Sequence, residues 1–154
     1  MRVLFYLLLA LGAASCGFRE QKLFRLIDAQ ESNITFSNDL TFDPAFNIFK
    51  YRNYYNGGGV GLIDYNNDGL QDIYLVANMS KNRLYENKGN FKFEDVTEAA
   101  QVGGIRAWST GVAIADVNGD GWMDIYVCNS GDVQGDDKKN ELFINNTDGT
   151  FTEM

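Results

Sequence analysis

One acidic nine-residue pattern occurs twice in this chain. Asp64-Tyr65-Asn66-Asn67-Asp68-Gly69-Leu70-Gln71-Asp72 and Asp116-Val117-Asn118-Gly119-Asp120-Gly121-Trp122-Met123-Asp124 both read D-x-N-x-D-G-x-x-D. Each copy runs straight into residues that alternate apolar and polar, 72–76 and 124–128, the period of a half-buried strand. Gly69 and Gly121 sit where the chain must turn sharply, and glycine accepts backbone angles closed to other residues. The doublet therefore predicts strand–loop–strand units with oxygen side chains gathered in the loops.

Oxygen donors at alternate positions suit a hard cation of calcium type, which takes about 6–8 oxygen ligands. The expected ligands in the first loop are Asp64, Asn66, Asp68 and Asp72, with the backbone carbonyl of Leu70. In the second loop they are Asp116, Asn118, Asp120 and Asp124, with the carbonyl of Trp122. Three carboxylates per loop repel one another, and a divalent cation offsets that repulsion. An EF-hand opens with a similar pattern but needs a bidentate Glu at position twelve between two helices. Position twelve is Leu75 in one loop and Val127 in the other, and both flanks have the period of strands. Ordinary Asn/Asp/Gly turns without metal are the plainer alternative, but turn chemistry does not demand the fourth Asp. Magnesium fits less well, because it keeps several waters and seldom uses an all-protein cage.

The repeat extends past the loops. Residues 59–64 (GVGLID) align with 111–116 (GVAIAD) at an offset of 52, and 82–87 (NRLYEN) align with 140–145 (NELFIN) at an offset of 58. The difference places an insertion in the polar stretch 130–137, whose Gly and Asp content marks an exposed loop. Each unit reads as strand, acidic loop, strand, loop, a third strand (about 84–86 and 142–144), and a turn before Phe93 or Phe151. Residues 96–102 (VTEAAQV) are expected to form one helical turn between units. Several short strands per unit at this period are the signature of a β-propeller blade.

The strand–DxNxDGxxD–strand unit resembles the FG-GAP and VCBS repeats of integrin-α-like propellers. The fuller run NGGGVGLIDYNNDGLQDIYLVAN…NRLYENKGNFKFEDVTEAAQVGG resembles the cartilage acidic protein family, whose bacterial members carry VCBS repeats followed by an ASPIC/UnbV domain. The resemblance covers about residues 31–154. It implies an all-β fold, a partial propeller of about two blades (57–102 and 109–154), with two structural Ca2+ sites in the inter-strand loops. It also implies adhesion or ligand binding, to a protein or a carbohydrate, and no chemistry. Asn66 and Asn118 stand where many members have Asp, which removes one charge per site.

Propellers have typically 4–8 blades, so 154 residues are expected to be the N-terminal part of a longer protein. A natural two-blade protein that closes by oligomerising is the alternative. Residues 1–15 read as an export signal, with Arg2 as the positive start, 3–11 as the apolar stretch and Ala13-Ala14-Ser15 before cleavage. The apolar run is shorter than the roughly 20 residues that span a bilayer. Cys16 follows directly, as in bacterial lipoproteins, which predicts acylation, a membrane anchor and an outer-membrane or cell-surface location. Plain secretion is the alternative. Residues 16–30 would then form the mature N-terminus and tether. The segment 23–55 is too aromatic for a flexible tether. It is expected to pack on the first unit or, alternatively, to offer an aromatic surface to carbohydrate.

The formal charge is −8, and the six loop Asp supply most of it. Two bound calcium ions would halve that charge. No basic patch is present, which argues against nucleic acid. The chain has no histidine, so it lacks the commonest general base and zinc ligand. No nucleophile elbow, P-loop or dinucleotide-binding glycine pattern occurs. The expectation is a non-catalytic module; the alternative is a propeller supporting an enzyme active site in a C-terminal region beyond residue 154. Once Cys16 is acylated, Cys128 is left alone, so no intrachain disulfide is expected. It is read as a small buried hydrophobe.

Overall fold

The computed structural model describes residues 23–105, 108–130 and 139–154. The stretch 1–15 expected to be an export signal, Cys16 with its expected acylation, and most of the 130–137 insertion lie outside them. The described chain is all-β apart from two single helical turns. The first sheet contains β1 (Val60–Ile63), β2 (Asp72–Leu75), β3 (Arg83–Asn87) and β4 (Phe93–Asp95) in the order β1-β2-β3-β4. The second contains β5 (Ser109–Ala115), β6 (Asp124–Asn129), β7 (Glu141–Asn145) and β8 (Phe151–Glu153) in the order β5-β6-β7-β8. All neighbours are antiparallel, so each sheet is a meander of short hairpins.

Register makes the two sheets equivalent. Ile63 pairs with Asp72, and Ala115 pairs with Asp124, so each acidic loop is the connection of the first hairpin. The third strands lie where the alignment predicts them, one residue longer at each end. A fourth, outermost strand follows in each sheet, anchored by the pairs Asn87↔Phe93 and Asn145↔Phe151. At three residues these strands are too short to show alternation in sequence. The helical turn expected within 96–102 is α2 (Thr97–Ala100). An earlier turn, α1 (Ala29–Ser32), is capped by the Asp28 side chain, which accepts the Glu31 N–H at 2.8 Å.

The core lies between the sheets. Ile63, Tyr65, Tyr74, Val76 and Leu84 of the first share one buried cluster with Ile125, Val127, Phe143 and Phe151 of the second, closed by Ala100 and Val102. Each fully buried aliphatic or aromatic side chain contributes about 1.5–3 kcal/mol. Contact is closest between β1 and β5. A methyl group at Gly61 would lie 3.0 Å from the Ile114 side chain, so glycine is what lets these strands approach.

The leader crosses the first sheet and ends in an aromatic cluster. Asn33 donates to the Phe93 carbonyl at 3.1 Å, and Lys92 Nζ donates to the Glu31 carbonyl. Asn38 and Asn78 exchange two hydrogen bonds, of 2.7 and 2.9 Å. Trp108, fully buried, meets Phe46, Tyr51 and Tyr54 at ring separations of 5.1, 5.5 and 5.5 Å. Packing on the repeats thus accounts for these aromatics, whereas Phe24, Phe42, Phe49 and Tyr55 stay exposed. Cys128 is half-buried in β6 and unpaired among the described residues. Among those residues, no helix is long and apolar enough to cross a membrane.

Candidate metal centre

Each loop is folded around its first aspartate. Asp64 accepts the N–H of Asp68 and of Gly69, both at 3.0 Å. Asp116 accepts those of Gly119, Asp120 and Gly121 at 2.7, 3.1 and 2.9 Å. These donors, that of Gly121 above all, hold the Asp116 carboxyl below its ordinary pKa. Gly69 and Gly121 adopt φ of +85° and +89°, the left-handed region that favours glycine.

The third and fifth positions close on the same point. Asn66 Oδ1 accepts from the Asp68 N–H at 3.2 Å, and Asn66 Nδ2 reaches Asp68 Oδ2 at 3.1 Å. The equivalent distances for Asn118 and Asp120 are 3.0 and 2.8 Å. Asp68 and Asp120 each accept the N–H two residues on, from Leu70 and Trp122, at 2.8 Å. The Trp122 side chain is half-buried.

The ninth position behaves differently. Asp72 and Asp124 are fully buried. Asp72 accepts the N–H of Tyr65 at 3.1 Å and that of Asn87 at 2.7 Å. Asp124 accepts those of Val117 and Asn145 at 2.9 and 2.8 Å. Each carboxylate therefore clips the start of its loop to the end of the third strand. Burial pushes the Asp72 carboxyl up to about 6, with nearby Asp68 and Asp64 adding to the rise while the two N–H donors oppose it.

The donor set, oxygen only and rich in carboxylate, fits a hard cation. Positions one, three and five converge in both loops, and Asp72 lies close enough to Asp64 and Asp68 to feel their charge. Among the described residues, however, no group of three or more Asp, Glu, Cys or His side chains is drawn together closely enough to hold a metal ion. The expected ligands thus share one loop in each sheet, with the ninth residue engaged as a brace. Sequence reasoning missed Asn87 and Asn145, whose backbone N–H groups complete that brace. Their only signal was identity at the 58-residue offset.

Residues 64–127 match the family described as FG-GAP-like repeat. A stretch of 78 residues is 35% identical to Cartilage acidic protein 1 of Xenopus tropicalis, covering 50% of this chain and 12% of that protein.

Proposed function

We propose that this chain, which carries FG-GAP-like repeat sequence, is a calcium-stabilised propeller segment that presents a surface for adhesion or ligand binding. The supporting observation is the equivalence of its two sheets. Both place a D-x-N-x-D-G-x-x-D loop in the first hairpin, and both buttress it from the third strand through the ninth residue. Four-stranded antiparallel sheets repeated side by side are the units of propellers. Asp64, Asn66, Asp68, Asp72 and the Leu70 carbonyl would hold one ion, and Asp116, Asn118, Asp120, Asp124 and the Trp122 carbonyl the other. A bound ion supplies positive charge that quiets carboxylate repulsion and fixes the loop, so its role is structural. The partner is a protein or a carbohydrate, and presentation outside the cell through a lipid on Cys16 fits an ion abundant there. No catalysis is assigned to these residues.

Melting with and without chelator tests the metal reading. At a tenfold excess of calcium over Kd each loop gains about 1.4 kcal/mol, so replacing EDTA by calcium raises Tm by several degrees. The pH dependence separates the two forms. In EDTA, Asp72 with its raised pKa favours the folded state when protonated. Its contribution is fully present below the unfolded value near 3.8 and is lost as pH rises through about 6. Acidifying from pH 7 to 5 then strengthens the fold by about 1 kcal/mol through this group. The depressed carboxyls of Asp116 and Asp148 contribute no slope there, because their stabilisation disappears only below the ordinary carboxylate range. With calcium bound, Asp72 stays ionised and acidification weakens the fold by displacing the ion. Identical melting in EDTA and calcium at both pH values would refute the metal reading.

A further inference from the structure

The two acidic loops match at every marked position, yet their surroundings differ in charge. Glu86 of β3 lies against the first loop. Asn66 Nδ2 reaches Glu86 Oε1 at 3.4 Å, and the Tyr65 hydroxyl hydrogen-bonds the same carboxylate. The Glu86 side chain is only 15% exposed, and Lys88 Nζ holds its Oε2 at 2.6 Å while reaching Glu94 at 3.2 Å. At the 58-residue offset the counterparts of Glu86, Lys88 and Glu94 are Ile144, Asn146 and Thr152, all uncharged. There Thr152 Oγ1 donates to Asn146 Oδ1 at 3.0 Å. Val117 stands in place of Tyr65 and has no hydroxyl. Asn118 is exposed, and among the described residues its Nδ2 has Asp120 alone, at 2.8 Å.

The difference bears on the amide ligand. An Asn side chain serves a hard cation through Oδ1, so its Nδ2 must be turned away and satisfied elsewhere. In the first loop Nδ2 has two acceptors, Asp68 Oδ2 at 3.1 Å and Glu86 Oε1. Asp68 is itself an expected ligand, so once its oxygens serve an ion, Glu86 is the acceptor that remains. In the second loop the same step leaves the Asn118 amide to water. Glu86, Lys88 and Glu94 together also add one net negative charge beside the first loop, which attracts a cation.

We propose that Glu86 is a positioning residue for the first calcium site and makes that loop the tighter of the two. The inference rests on the calcium reading above and adds an order of filling, the first loop loading at lower calcium than the second. Side chains that orient a metal ligand typically govern about 10–100-fold in affinity.

Equilibrium dialysis of single-site chains reads the order. Asp120→Ala isolates the first loop and Asp68→Ala the second, and the first should bind calcium about tenfold more tightly. Glu86→Ile, which copies the second sheet, should erase that advantage in the Asp120→Ala chain. The same substitution should leave the second loop's Kd unchanged in the Asp68→Ala chain. Glu86→Gln is nearly isosteric and keeps an acceptor for Asn66, so its affinity should fall between those of wild type and Glu86→Ile. Melting in EDTA checks that the variants fold, and Glu86→Gln carries the test if the Ile variant melts early. Equal affinities of the two loops overturn the proposal. So does a first loop indifferent to both Glu86 substitutions, or equal weakening of both loops, which a merely structural role would give. In each of those outcomes calcium still binds, whereas absence of saturable binding at either loop overturns the calcium reading and the order with it.

Discussion

Asp124→Ala is expected to destabilise the fold by about 2–4 kcal/mol even in EDTA. The carboxylate is fully buried, and its oxygens take the N–H groups of Val117 and Asn145. Truncation leaves two donors without an acceptor, at about 1–3 kcal/mol each, offset in part by relief of burying a charge. Asp124→Asn keeps one acceptor oxygen and should lose roughly half as much. Asp120→Ala provides the contrast. Asp120 is exposed and accepts only the local Trp122 N–H and the Asn118 amide, so in EDTA its removal should shift stability by no more than about 0.5 kcal/mol. In calcium it should abolish the ion's contribution at that loop. Urea unfolding of both variants, with and without calcium, separates the brace from the ligand. Equal losses for Asp120→Ala and Asp124→Ala in EDTA would contradict the distinction.

Trp108→Ala is expected to cost about 3–5 kcal/mol, the range for emptying a buried aromatic site. Three rings of Phe46, Tyr51 and Tyr54 close around the indole, and the Trp108 carbonyl accepts the Ser130 N–H at 2.9 Å. Tyr54 is itself buried and donates to the Thr41 carbonyl at 2.8 Å. Removing the indole thus loosens the leader from the second sheet as well as opening a cavity. Tm should fall on the order of 10 °C, and tryptic cleavage at Lys50 and Arg52 should accelerate. Phe49→Ala, at a position 92% exposed, should leave both readouts unchanged. A Trp108→Ala protein that melts normally and resists trypsin like wild type would show that the cluster does not hold the leader.

Local pattern carried the hairpins. The alternation in 72–76 and 124–128, the glycines at 69 and 121, and the paired offsets of 52 and 58 locate the first three strands of each sheet. What sequence could not show were contacts between distant segments. The Asn38–Asn78 pair spans 40 residues and the Asn145–Tyr65 link spans 80, and no periodicity encodes such partners. The ninth aspartate is the instructive case. Its spacing marks it as a ligand, yet its burial and its bond to the third strand give it a second task that a loop motif alone cannot reveal. The leader aromatics likewise divide into packed and exposed sets according to where the chain turns, which composition does not fix.

Equilibrium dialysis against calcium tests the central claim most directly. Wild-type protein should bind two ions per chain, with Kd near the roughly 10⁻⁴–10⁻³ M of extracellular modules. Asp68→Ala and Asp120→Ala should each bind one, and the double variant none. Absence of saturable binding, or two ions still bound by the double variant, would contradict the assignment of both loops as calcium sites.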